Sequence, residues 1–118
     1  MNECNAVIKS ATITNADHGV LSAYIHLDYG GAGQAFGGYV LYSPSAKSGS
    51  HEANYAGLFI WRVLETVGVS EWERLPGKTV RVRQEHDKVH AIGHIVKDEW
   101  FYAGQEFTAL ENAKTHVE

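Results

Sequence analysis

A single cysteine, Cys4, stands among 118 residues, so no intrachain disulfide is possible. No apolar run reaches the roughly 18 residues of a membrane-spanning helix. The opening residues Met1-Asn2-Glu3-Cys4-Asn5 lack the basic and apolar segments of a secretion signal, and a cytosolic setting is expected. Prolines number two against twelve glycines, a balance that suits tight turns and close backbone approaches more than disorder. Basic residues are scarce: ten Lys and Arg against fourteen Asp and Glu leave a net charge of −4. General affinity for nucleic acid, which draws on a basic surface, is therefore not expected. Catalytic signatures are missing too. No nucleophile elbow, phosphate loop or dinucleotide fingerprint occurs, which favours a binding protein over an enzyme.

What is present reads as one α+β domain over residues 1–118, an antiparallel sheet of about five strands packed with one main helix. Strand composition marks Ala6 to Thr14. Strict alternation marks Val20 to Tyr29, with Leu21, Ala23, Ile25 and Leu27 on one side and Ser22, Tyr24, His26 and Asp28 on the other. Asn15-Ala16-Asp17-His18-Gly19 and Gly30-Gly31-Ala32-Gly33 are the reversals. A glycine-broken, aromatic strand follows from Gln34 to Tyr42, then a surface loop from Ser43 to Ser50.

Helical spacing of Ala53, Ala56, Ile60, Val63, Leu64 and Val67 predicts a helix from about His51 to Val67, ended by Gly68. Tyr55, Leu58, Phe59 and Trp61 lie off that stripe and predict a second covered side, within the domain or against another copy of the chain. Ser70-Glu71-Trp72-Glu73 has capping-box spacing. Lys78 to Gln84 and Val89 to Lys97 form a hairpin around Glu85-His86-Asp87-Lys88. The polar tail from Phe107 onward is expected to fray.

The hairpin carries the most informative chemistry. With His86-Asp87 as its turn, Arg83 lies opposite His90 and Arg81 opposite Ile92, and His94 continues the same face. Val80, Val82, Ala91 and Ile95 then point to the core. Arginines gathered on one face suit phosphate or carboxylate, which they bind through paired charge-assisted hydrogen bonds; a charged, solubilising sheet edge reads equally well. Trp100 and Phe101 follow directly, Phe36 lies in the glycine-broken strand, and Arg62 is available from the helix. Such rings offer stacking surfaces for a base, although most aromatics in a small domain are core. His86, His90 and His94 recur every four residues, but on a strand such positions are about 13 Å apart, so no metal site is expected. Cofactors are not called for.

The segments Asp17-His18-Gly19, residues 27–39 (Leu-Asp-Tyr-Gly-Gly-Ala-Gly-Gln-Ala-Phe-Gly-Gly-Tyr), Ala91-Ile92-Gly93-His94-Ile95 and Asp98-Glu99-Trp100-Phe101 resemble a family of short bacteriophage and prophage proteins. That family resembles the anti-Thoeris sponges, which bind cyclic ADP-ribose isomers. The resemblance implies a cytoplasmic anti-defence protein of the bacterial host cell that sequesters a small anionic nucleotide without turnover. It also implies a homodimer or higher homo-oligomer with ligand sites near subunit contacts. This chain departs from its look-alikes at Tyr42, where an acidic residue is common, and at His94, where asparagine is. Arg81, Arg83 and His94 are the expected phosphate contacts. Trp100, Phe101 and Phe36 are the expected stacking groups, with Arg62 in reserve. The rival reading is an inhibitor that binds a host defence protein directly, in the manner of an anti-CRISPR. A hydrolase using His94 ranks last.

Overall fold

Alternation and turn chemistry place a long bent strand at the centre of the sheet. The structure is a computed structural model that describes residues 2–16, 18–30, 33–44 and 55–116. Its elements are β1 (Asn2–Thr14), β2 (Ser22–Asp28), β3 (Gly33–Gly37), α1 (Tyr55–Val67), β4 (Thr79–Glu85), β5 (Lys88–Gly93), β6 (Trp100–Phe101) and α2 (Ala103–His116). The α+β class is as expected, with six strands in one antiparallel sheet ordered β3-β2-β1-β4-β5-β6.

β1 pairs with β4 through residues 2–7 and with β2 through residues 7–14, and its ladder with β2 slips between Ile8 and Ser10. An extra residue in one strand bends it and increases local twist. The sheet curls accordingly, and β3 comes within 8 Å of β5. Inside the curl lie Ile8, Ile25, Phe36, Val82, Ile92 and Phe101, all fully buried. Phe59 of α1 completes this core, its ring 5.8 Å from Phe36 and 5.6 Å from Phe101.

Four expectations are corrected. The helix buries Tyr55, Phe59, Val63 and Thr66; Val63 is the one member shared with the predicted stripe, and Tyr55 and Phe59 take the core-facing positions expected of Ala56 and Ile60, while residues 51–54 lie outside the described residues. Trp61 stays 66% exposed. The tail is helical from Ala103 to His116, anchored by Phe107, whose ring stacks 4.6 Å from Tyr55. Ser70 does not cap; the short turn Trp72–Arg74 begins after Glu71, without a side-chain cap. The loop expected over 43–50 falls mostly outside the described residues, although Ser43 is buried. The other reversals are covered in part, with His18 and Gly19 both at positive φ.

The fourth correction concerns the hairpin. His86-Asp87 is its two-residue turn, with His86 at φ +57°. A slip between Arg83 and Gln84 then shifts the pairing to Arg83 with Ala91, Val82 with Ile92, and Arg81 with Gly93. Ile92 therefore points into the core, and Ile95 is exposed.

Candidate functional site at the seam of the curled sheet

The register puts Arg81, Arg83, Gly93 and Trp100 on the outer face of the sheet, since Gly93 pairs with both Arg81 and Trp100. Gly93 has a steric reason to be glycine: a Cβ there would sit 2.7 Å from the Trp100 indole. With no side chain in the way, the indole lies against the strand, and both guanidiniums stack on it. Arg83 lies 3.8 Å and Arg81 4.8 Å from its centroid. Three of the expected site residues are thus brought together.

Their hydrogen-bonding groups are largely engaged within the chain. Arg81 donates from Nε to the His94 carbonyl at 2.7 Å and from Nη2 to the Lys97 carbonyl at 2.6 Å. Arg83 donates from Nε to Glu3 at 3.1 Å and from Nη1 to the Tyr102 hydroxyl. These bonds, that to Tyr102 foremost, hold the Arg83 guanidinium above its ordinary pKa, and it stays charged. The pair pins the 94–99 loop and the first strand to the sheet.

The remaining expected residues separate from this group. His94 accepts at Nδ1 from the backbone N–H groups of Val96 and Lys97, at 3.0 and 2.9 Å. Its Nε2 lies toward the end of α1, 3.5 Å from where a Gly68 Cβ would be, so the imidazole organises a turn instead of joining the arginines. Arg62 is clamped by Glu106 at 3.0 Å, by Glu65 at 2.6 Å and by the Trp100 carbonyl at 2.8 Å. Phe36 and Phe101 are corrected outright as stacking groups, since both are fully buried and touch each other at 5.6 Å in the core.

A different cavity opens where the curled sheet nearly meets itself. It has a volume of about 230 Å³ and is lined by Tyr39, Lys88, His90, Tyr102, Gly104 and Gln105. Lys88 and His90 come from the bulged start of β5, Tyr39 follows β3, and Tyr102 links β6 to α2. Among the described residues no carboxylate pairs with Lys88 or His90. The Lys88 ammonium lies 5.7 Å from the Tyr39 ring. Tyr102 reaches back to Arg83, so the cleft and the arginine pair share a wall. A lysine, an imidazole and two phenol rings in one recess suit an anion attached to a flat ring. The volume falls just under the roughly 300 Å³ lower end of drug-sized pockets and therefore suits a mononucleotide-sized group more than a whole dinucleotide.

Tyr39 also reports on this cleft electrostatically. Burial raises its pKa above 10.0, against a smaller lowering by the Gly104 backbone N–H that its oxygen accepts. The unfolded chain then releases the Tyr39 proton at lower pH than the folded one. Its contribution is complete below pH 10.0 and is lost as pH rises through the higher folded value. Urea midpoints at about pH 9 and pH 11 are expected to fall less in Tyr39→Phe than in the parent chain; equal falls would remove the burial effect.

The hairpin alternation points to the arginine face but misses the cleft, because the bulge that aims His90 has no sequence signature. Tyr102, beside Trp100 and Phe101, was the nearest available hint. No group of three or more metal-ligating side chains occurs among the described residues, and none of their helices is long and apolar enough to cross a membrane. No protein family, curated protein or solved structure matches the chain.

Proposed function

We propose that this protein binds a small anionic nucleotide and holds it without turnover, in the manner of a phage anti-defence sponge for a cyclic ADP-ribose type signal. The observation that carries the reading is the seam cleft, lined by Lys88 and His90, which no carboxylate among the described residues pairs with, together with the rings of Tyr39 and Tyr102. A phosphate would sit on Lys88 and His90, which no carboxylate of the described residues pairs with, and a ring would lie against a phenol. Arg81, Arg83 and Trp100 border that cleft through Tyr102.

The connectivity supports it at the level of fold. Five strands run β3-β2-β1-β4-β5 with α1 between β3 and β4, and β3 returns beside β5. That is the layout of the Greek-key barrels that bind oligonucleotides and oligosaccharides using, among other parts, the loop between the fourth and fifth strands. Here that loop is His86-Asp87, next to Lys88. Connectivity speaks to fold and leaves the ligand to the site.

Thermal unfolding with AMP, ADP, ADP-ribose, cyclic ADP-ribose and cyclic dinucleotides tests the proposal. A ligand at 100 times its Kd is expected to add about 2.7 kcal/mol of stability, and heating the complex is expected to return it intact. No shift with any of them overturns the reading, and a cleaved product overturns the absence of turnover.

A second reading, direct binding to a host defence protein, is favoured by a separate observation. Trp61 is 66% exposed beside an apolar hollow of about 320 Å³ lined also by Leu64 and Val69, and Val96 is 81% exposed. An unresponsive melt together with a host protein that copurifies only when Trp61 is intact would select it. The proposed self-association draws on the same surface.

A further inference from the structure

We propose that Arg81 and Arg83 form a second anion seat, which Glu3 fills in the unliganded protein and which the second phosphate of a diphosphate-bearing ligand takes by displacing Glu3. The inference rests on the cleft reading above and names the ligand class, a nucleoside diphosphate, as well as the internal competitor.

The strand register creates the seat. Glu3 is the β1 partner of Arg83 and Asn5 that of Arg81, so Glu3 projects onto the outer face beside both arginines. One carboxylate oxygen lies 3.1 Å from Arg83 Nε and the other 3.7 Å from Arg81 Nη1. Both guanidiniums stack on the Trp100 indole at 3.8 and 4.8 Å. Like charges so close repel unless an anion lies between them, and Glu3 supplies one negative charge for two positive ones.

The balance leaves room for a better occupant. Each guanidinium carries five N–H donors. Arg81 spends Nε and Nη2 on carbonyls, and Arg83 spends Nη1 on Tyr102 and Nε on Glu3. Arg81 Nη1 lies 3.7 Å from Glu3, outside hydrogen-bond range, so the two side chains retain donors that a phosphate can engage. Glu3 is 43% exposed, and an ion pair that open to water contributes little and is readily broken. A phosphate of a diphosphate meets the same fork with two unesterified oxygens as Glu3 does, and it brings the charge of the neighbouring phosphate with it, two negative charges in place of one.

Tyr102 ties the seat to the cleft, since its hydroxyl accepts from Arg83 while its side chain lines the cavity. A mononucleotide group fills the cleft, and a second phosphate reaches past Tyr102 to the arginines. AMP is held by the cleft alone. ADP-ribose competes with Glu3 as well.

Calorimetric titration of AMP, ADP-ribose and inorganic pyrophosphate into the full chain and its Glu3→Gln variant tests this, with matched thermal unfolding as the control for folding. Removing the competing charge is expected to tighten ADP-ribose and pyrophosphate about fivefold, equivalent to about 1 kcal/mol. AMP affinity is expected to change less than about twofold. In Glu3→Gln/Arg81→Gln the gain is expected to vanish. Should AMP bind while Glu3→Gln leaves ADP-ribose unchanged, or should all three ligands gain equally, the seat is overturned and the cleft stands. Should neither nucleotide bind while pyrophosphate still gains from Glu3→Gln, the cleft reading falls and the seat survives. Silence from all three overturns both.

Discussion

Phe59→Ala is expected to lower stability by about 3 to 5 kcal/mol, the usual loss when a large buried aromatic is cut back. The residue is fully buried, and its ring is the one part of α1 that touches both Phe36 and Phe101. Those two come from β3 and β6, opposite edges of the sheet. Phe59 therefore fills the space over which the sheet curls, and its loss leaves a cavity against Phe36 and Phe101. Since small domains total only about 5 to 15 kcal/mol, the variant approaches the limit of folding. Trp61→Ala, two residues on and mostly exposed, is the control and is expected to change stability by less than about 1 kcal/mol. Chemical denaturation read by circular dichroism measures both. Similar values for the two variants would mean that α1 does not pack by this face.

Gly37→Ala is the second large effect, at about 3 to 5 kcal/mol from clash, strain and a broken ladder bond together. Gly37 sits at φ +126°, and a Cβ there would fall 2.1 Å from the Ala23 carbonyl oxygen. That same oxygen accepts the Gly38 N–H at 2.8 Å, so the two strands cannot part without losing the bond. Gly30 gives the comparison. It also has positive φ, at +77°, but nothing lies within 4 Å of its Cβ position, so Gly30→Ala carries strain alone, about 1 to 2 kcal/mol. The difference matters for function because Gly37 and Gly38 deliver Tyr39 to the cleft. Loss of nucleotide binding in Gly37→Ala should therefore accompany its lower midpoint, whereas Gly30→Ala should bind as the parent does.

The class of fold was legible because β2 alternates without a break and β5 follows a clean two-residue turn. The curl was not, since it depends on bulges in β1 and β5 that leave no mark on composition. The same bulge in β5 explains the missed pairing: counting outward from His86-Asp87 places Ile92 beside Arg81, while the extra residue turns it inward beside Val82. Val63 of the predicted stripe is buried, but Ala56, Ile60 and Leu64 are as apolar as Tyr55 and Phe59, and only the aromatic core beneath decides between them. Phe107 looked like the start of a polar tail, and the partner that orders it, Tyr55, lies 52 residues away. At the site, the grouping of Arg81, Arg83 and Trp100 was readable from alternation and sequence proximity. Their engagement by Glu3, Tyr102 and the loop carbonyls was not, since those partners come from the far end of β1 and from beyond β5.

The most direct test of the cleft is a titration of ADP-ribose into isotope-labelled protein, followed by the backbone amide resonances. Saturable shifts are expected at Tyr39, at residues 88–90 and at residues 102–105, with residues 57–61 of α1 unmoved. Shifts centred on α1, or none that saturate, would contradict nucleotide binding at the seam.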